Sequence, residues 1–318
     1  MIHYESVRGC PYRCAFCNYP YLFDDSKFRT RSAERMADDW EHYATTLGVE
    51  YITCLDSLFT MPRARLMAFC HALVRRKLGI KWICYARADD LCDDEVVLLM
   101  REAGCIQVQV GIESGDQGQL DRMQKRTTVR ENARALEACR RAGLTTVVSL
   151  IVGFPGETRA TLQRTCDMLA ASPPDFHFLA TFSTRVATVP ILQPEHAERH
   201  DLVTDANPRT VSPYWRHATM SCADVGNHVR WMANELVARR VSLDATMFYH
   251  GILHYDPSMR DEMLTFQCDA LGRAPLVTRA FDRLNDWIDR RLRADVARVL
   301  PPGAPASAAP VSAALGTV

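Results

Sequence analysis

Three cysteines fall within one short stretch, Arg8-Gly9-Cys10-Pro11-Tyr12-Arg13-Cys14-Ala15-Phe16-Cys17-Asn18, at spacings of four and three residues. Thiolates spaced this way on a loop can converge on one metal centre, and two kinds of centre compete. A structural zinc site recruits four ligands, usually as two pairs. The chain offers no second cysteine pair, and His3 belongs to a strand-like run. A cubane [4Fe–4S] cluster held by three cysteines leaves one iron without a protein ligand. A small molecule with amino and carboxylate groups can chelate that iron. The other nine cysteines (Cys54, Cys70, Cys84, Cys92, Cys105, Cys139, Cys166, Cys222 and Cys268) stand singly. Most lie in apolar or helical contexts, where a free thiol behaves as a small hydrophobe.

The elements that must position the three thiols follow a repeating rhythm. Short β-rich runs are expected at Ile2–Val7, Val49–Leu55, Ile80–Tyr85, Ile106–Ile112, Thr145–Val152 and Phe176–Phe182. Between them, helices are expected over Arg31–Thr46, Pro62–Lys77, Asp93–Ala103, Val129–Ala142 and Thr158–Ala171, several closed by a glycine. Six such βα units predict a parallel sheet covered by helices, open or barrel-like, with chemistry at the carboxyl ends of the strands. The cysteine loop directly follows the first strand. After Ser183 the rhythm stops: a loop-like stretch is followed by helices expected at Cys222–Arg240, Ser258–Leu271 and Val277–Leu300. The division read from this is a barrel over 1–183, an extension over 184–300 and a Pro/Ala/Gly/Ser-rich disordered tail over 301–318.

Composition narrows the function classes. The 318 residues carry 38 basic and 38 acidic side chains, a balance that argues against a nucleic-acid-binding surface. No apolar run is long enough for a transmembrane helix. The first residues lack the apolar core of a signal peptide, so the cysteines point to a reducing compartment, the cytoplasm. Lysine is scarce, with four residues against thirty-four arginines.

Cys-x3-Cys-x2-Cys with Phe16 before the third cysteine resembles the signature of the radical S-adenosylmethionine (SAM) superfamily. The resemblance implies a partial (β/α)6 barrel, a [4Fe–4S] cluster on Cys10, Cys14 and Cys17, and SAM chelated to the open iron. One-electron cleavage then yields a 5′-deoxyadenosyl radical. Further segments match, together spanning residues 4 to 182. In Cys54-Leu55-Asp56-Ser57, Asp56 is expected to meet SAM's amino group, although related members often carry Asp-Asp there. In Gly111-Ile112-Glu113-Ser114-Gly115, Glu113 matches the strand-end acid. Lys125 matches the base a dozen positions later, with Arg126 as its substitute. Ser149 and Gly153, in Ser149-Leu150-Ile151-Val152-Gly153-Phe154-Pro155-Gly156-Glu157-Thr158, resemble the adenine-binding strand and its turn. Glu157 and Thr158 are read as helix caps. Arg87 is a further contact to SAM or substrate.

The wording of the fourth and fifth strands is most similar to the cobalamin-binding radical SAM group, many of them methyltransferases. The segment Tyr214-Trp215-Arg216-His217-Ala218-Thr219-Met220 resembles the branch that methylates phosphorus in phosphinate natural products. It places Trp215 and His217 where a substrate-covering cap would sit, with a packed loop as the alternative reading. The resemblance implies a small-molecule substrate, an electron donor such as flavodoxin or ferredoxin, and methyl transfer to phosphorus or to an unactivated carbon. It leaves cobalamin use open. The chain shows no Asp-x-His-x-x-Gly motif, and the cluster loop begins ten residues from Met1, so a cobalamin domain is expected on a separate or preceding segment. The competing readings are a cobalamin-free radical SAM oxidoreductase or rearrangement enzyme, a methylase using Cys222 as methyl carrier, and a non-catalytic zinc-binding protein. A second cluster is not expected, because Cys222 and Cys268 stand alone.

Overall fold

The structure, a computed structural model, describes residues 1–22, 27–186, 188–205, 214–248, 255–272 and 275–301. The expected tail lies outside the described residues except for Pro301. One seven-stranded parallel sheet organises the fold. Its strands, in both chain and spatial order, are Ile2–Tyr4, Tyr51–Cys54, Lys81–Arg87, Cys105–Glu113, Thr145–Val152, Phe176–Thr181 and Leu243–Asp244. The first six realise the expected α/β repeat. The seventh was not legible: two residues of the extension pair with the sixth strand, Leu243 against Phe176 and Asp244 against His177.

The connecting helices are α1 (Ala33–Leu47), α2 (Arg63–Arg76), α3 (Asp94–Glu102), a short α4 (Gln117–Arg122), α5 (Val129–Arg141) and α6 (Arg159–Ala171). Their boundaries follow local chemistry. Ser32 accepts from the Arg35 amide at the start of α1, and left-handed Gly48 closes it. Thr128 and Glu131 form a capping box on α5, and Thr158 caps α6 as expected. Buried apolar side chains join helices and sheet. Trp40, Phe69, Trp82 and Phe59 meet edge to face or tilted at centroid distances of 4.8–6.5 Å.

The extension contains α7 (Pro194–Arg199), α8 (Cys222–Ala238), α9 (Arg260–Gly272) and α10 (Pro275–Val299). Residues 184–220, expected as loop, thus include one short helix and the two-residue pair Val203–Thr204 with Trp215–Arg216. The extension docks through two buried histidines. His177 bonds the Ser242 hydroxyl at 2.8 Å, and His217 Nε2 donates to the Gly153 carbonyl at 3.1 Å. Burial pushes both imidazoles down to about 4. Because the unfolded chain takes up protons near 6.5 and the fold resists until about 4, stability is full above pH 6.5. It is lost as pH falls through that window, by roughly 2–3 kcal/mol per histidine. Thermal unfolding midpoints between pH 7.5 and 4.5 should show this loss, and His177→Gln should flatten part of it. A pH-independent midpoint would refute the assignment.

Candidate active site

The first strand leaves the sheet early, and an acid just past the end of the second strand accounts for it. Asp56 is fully buried and accepts from the Ser6 and Val7 amides, each at 2.7 Å, and from the Ser6 hydroxyl at 2.6 Å. Those amides are then lost to sheet pairing. The expected strand Ile2–Val7 ends at Tyr4, and Val7–Arg8 pairs instead with Arg29–Thr30, antiparallel. That small clamp ties the two ends of the cysteine loop together. Gly9 makes the crossing possible: its φ is 76°, and a Cβ there would sit 2.2 Å from the Lys27 carbonyl oxygen.

The expectation that Asp56 meets SAM's amino group is therefore corrected. Its carboxylate holds the base of the loop, and its neighbour Ser57 lines the pocket instead. Asp56→Ala leaves three buried donors unpaired, at about 1–3 kcal/mol each before relaxation. The expected result is a large fall in unfolding midpoint, with lower iron loading as a consequence of the loosened loop. Asp56→Asn, which keeps an acceptor, should recover part of both. Equal stability of wild type and Asp56→Ala in denaturant titration would sink this role.

The loop is fixed at its centre as well. The Ala15 amide donates to the Met123 carbonyl at 2.8 Å, and the Ala15 carbonyl accepts from the Ile191 amide at 2.9 Å. Cys10, Cys14 and Cys17 are thereby brought to one wall of a pocket of about 280 Å³ at the carboxyl ends of the strands. Phe16, Arg87, Glu113, Lys125 and Ser149 line the same pocket, as do Tyr12, Tyr19, Tyr85, Gln109 and Gly111.

An ion pair shares the pocket with the thiols. Lys125 Nζ is 2.8 Å from Glu113 Oε1, with both side chains at least 90% buried. The backbone is specialised around it. Glu113 ends its strand at a bulge, where the register shifts after Gly111, and adopts a φ of 60°. Gln124 and Arg126, on either side of Lys125, have φ of 51° and 55°. Non-glycine residues in this left-handed region cost about 1 kcal/mol or more each and persist where surroundings demand them. A Cβ on Gly111 would fall 2.6 Å from Glu113 Oε1 and 2.9 Å from Lys125 Nζ, so glycine leaves room for the pair. Arg126 is exposed to solvent. Arg87 is buried behind the pair: it bonds Asp89 at 2.9 Å, donates to the Lys125 carbonyl at 2.7 Å and lies 3.7 Å from the Tyr12 ring centroid.

Other expectations are corrected as well. Gly153 does not line the pocket. Its amide donates to Glu157, and a Cβ on it would lie 2.7 Å from Val225 and 3.2 Å from Trp215. Glu157 is thus a turn brace rather than a helix cap, with its carboxyl pushed up to about 8 by burial. Trp215 and His217 stack on each other 5.4 Å apart and pack against Phe182 and Gly153, buried, instead of covering a substrate. Cys222 also lies outside the pocket lining.

The donor set fits an iron–sulfur cluster. All twelve cysteines are unbridged. Among the described residues no three His, Cys, Asp or Glu side chains converge on a position for a single ion. Cys10, Cys14 and Cys17 line the pocket together, and no histidine is in its lining. Burial pushes Cys17 up to about 11 and raises Cys10, and their proximity to Cys14 adds to both shifts. Thiols so placed ionise readily only when a metal cation takes the charge.

The radical SAM superfamily profile matches residues 4–169, just over half of the chain. The chain belongs to this superfamily. Its cofactors are accordingly a [4Fe–4S] cluster and SAM. The chain is 34% identical over 170 residues to an anaerobic magnesium-protoporphyrin IX monomethyl ester cyclase of Rubrivivax gelatinosus, covering 53% of this chain and 30% of the cyclase. It is 30% identical over 158 residues to an uncharacterized methyltransferase of Pyrococcus horikoshii, covering 50% and 34%. The radical SAM methyltransferase TsrM from Kitasatospora setae, solved with cobalamin and a [4Fe–4S] cluster, shares the fold. Its TM-score is 0.57 at 22% identity, over 66% of this chain and 42% of TsrM. This chain thus spans about a third of the length of the curated relatives it matches. No helix among the described residues is long and apolar enough to cross a membrane.

Sequence reasoning missed Tyr12, Tyr19, Ser57, Tyr85 and Gln109 as pocket residues. Strand periodicity carried the signal for two of them: Tyr85 and Gln109 stand two and four places before Arg87 and Glu113, on the same face.

Proposed function

We propose that this barrel catalyses methyl transfer to a small molecule, with SAM cleaved at Cys10, Cys14 and Cys17 and methylcobalamin carrying the methyl group. The observation that carries the reading is the pocket that three thiols share with the buried Glu113–Lys125 pair. A bound cluster and SAM supply one-electron cleavage of the S–C5′ bond there. The chain's own groups do the rest. Glu113 offers an anion to SAM's ammonium and Lys125 a cation to its carboxylate, which turns a zwitterion in one sense. Arg87 fixes the loop carrying Lys125, while Phe16 and Tyr12 present apolar surface that excludes water. Ser149, which accepts from Gln109 Nε2 at 3.1 Å, faces the same space.

The methyltransferase and the cobalamin-containing fold neighbour support methyl transfer, with cobalamin brought by another domain or partner and electrons by a flavodoxin- or ferredoxin-type donor. Twelve unbridged thiols support a reducing cytoplasm. The cyclase relative, which is not named as a methyltransferase, favours one second reading, a radical SAM oxidoreductase or rearrangement enzyme.

The experiment is anaerobic turnover of the reconstituted chain with methyl-deuterated SAM, a reductant and added cobalamin. Deuterated methylcobalamin is the expected product. 5′-Deoxyadenosine without any label transfer to cobalamin, with the cluster fully loaded, would favour the second reading.

A further inference from the structure

The amino ends of the strands, at the far side of the sheet from the cysteine loop, carry a cavity of their own. It is an open hollow of about 430 Å³ between the ends of α2 and α3 and the starts of the third and fourth strands. Its floor is apolar. Leu73 and Val74 come from the last turn of α2, Leu78 from the turn after it, Ile80 from just before the third strand and Ile106 from the fourth. Leu73 and Ile80 are buried, whereas Val74, Leu78 and Ile106 are only half-buried. Water over three neighbouring half-buried apolar side chains is unfavourable, and an apolar ligand that displaces it is bound by that gain.

The rim is cationic. Lys77, Lys81 and Arg101 line the hollow, all exposed, and Glu102 is the acid in the same lining. Two of the chain's four lysines thus stand here. Among the described residues, none of the three cations has a carboxylate partner. Lys81 Nζ lies 5.6 Å from the Tyr51 ring centroid, and Arg101 donates to the Cys105 carbonyl at 3.4 Å. The Lys77 ammonium makes no hydrogen bond or ion pair among the described residues. Arg76, one residue earlier, is held by Asp38 and Glu41.

Helix dipoles alone favour cations at such a place, since α2 and α3 both end at the hollow. Lys77 goes further. It closes α2 in the left-handed conformation, with a φ of 50°, where glycine would sit without strain. Strain accepted at that position keeps an unpaired ammonium at the mouth of an apolar hollow. The same dipoles limit the ligand. Two helix carboxyl ends and Glu102 oppose a group bearing several negative charges, while three cations accommodate one anion.

We infer that this hollow is a second binding site, and that it takes a single-headed anionic amphiphile, a medium-chain carboxylate. Its head meets Lys77, Lys81 and Arg101, and its hydrocarbon covers Val74, Leu78 and Ile106. The inference goes beyond the methyl-transfer reading and stands apart from it, because no residue lining the hollow lines the cofactor pocket.

The test is titration calorimetry on the anaerobically reconstituted, SAM-loaded chain, with octanoate, octanol and inorganic phosphate as probes. Octanoate should bind saturably, and octanol and phosphate each about tenfold more weakly or worse. Lys77→Glu and Arg101→Glu should each weaken octanoate by about tenfold or more, with unfolding midpoints near wild type because both side chains are exposed. Arg75→Glu, on the same helix end but outside the lining, should leave the affinity unaltered. Lys77→Gly separates ligand binding from helix capping: it should keep or raise the unfolding midpoint and still weaken octanoate. Absence of saturable octanoate binding, octanol or phosphate binding as tightly as octanoate, or wild-type affinity in Lys77→Gly would each overturn the inference.

Discussion

Cys14→Ala should lower iron from about four per chain to below one and abolish 5′-deoxyadenosine formation. Cys14 is the middle ligand, 7% exposed, on the wall of the pocket shared with Cys10 and Cys17. Its loss leaves two thiols for a cluster that needs three, and no histidine lines the pocket to replace it. The loop itself should survive, because it is held by backbone bonds from Ala15 to Met123 and Ile191 and by Asp56 at its base. A near-native unfolding midpoint in the unreconstituted variant therefore accompanies the loss of iron. The contrast is Cys54→Ala, which removes a fully buried core thiol of the second strand and should leave iron stoichiometry unchanged at some cost in stability. Anaerobic reconstitution followed by iron and sulfide analysis separates the two. Full iron loading in Cys14→Ala would remove the cluster assignment. One zinc per wild-type chain with no iron would replace it with a structural zinc site.

What the sequence made legible follows the range of the interactions involved. The six βα units, the loop cysteines, Glu113 and Lys125 all declare themselves within a few residues, through periodicity, caps and spacing. Asp56 and Ser57 could not be told apart that way, since neighbouring residues at a strand end point to opposite sides and one place of shift exchanges them. Only the contact with Ser6 and Val7, some fifty residues away in sequence, shows which one is structural. Gly153 misled for the same reason, and the choice between cap and packed loop for Trp215 and His217 rested on the same kind of contact. Each reads as a site residue in its own segment, and each is consumed by packing between the fifth strand and a segment sixty residues later. The seventh strand, Leu243–Asp244, is two residues long and too short for any period to show.

The Glu113–Lys125 pair yields the second large effect, and a double-variant cycle reads it. Each side chain is at least 90% buried, and their 2.8 Å contact is the neutralisation the structure shows for either charge. Lys125→Met strands the Glu113 carboxylate beside apolar Phe16, and Glu113→Gln strands the Lys125 ammonium. Either should cost about 3–5 kcal/mol, because an unpaired buried charge is destabilising far beyond the net worth of the pair. The double variant Glu113→Gln/Lys125→Met leaves no charge behind, so most of that stability should return. SAM affinity should not return with it. A zwitterion gains from two fixed opposite charges what an amide and a thioether cannot give, and at least a tenfold weaker Kd is expected, about 1.4 kcal/mol. Denaturant titration reads the first quantity, and anaerobic calorimetry with SAM on the reconstituted chain reads the second. If the double variant bound SAM as tightly as wild type, the pair would be a structural brace alone. If the two single costs simply added, the charges would not be neutralising each other. The strained backbone at Glu113, Gln124 and Arg126 sides with the first expectation, since a brace between two unstrained residues would serve stability better.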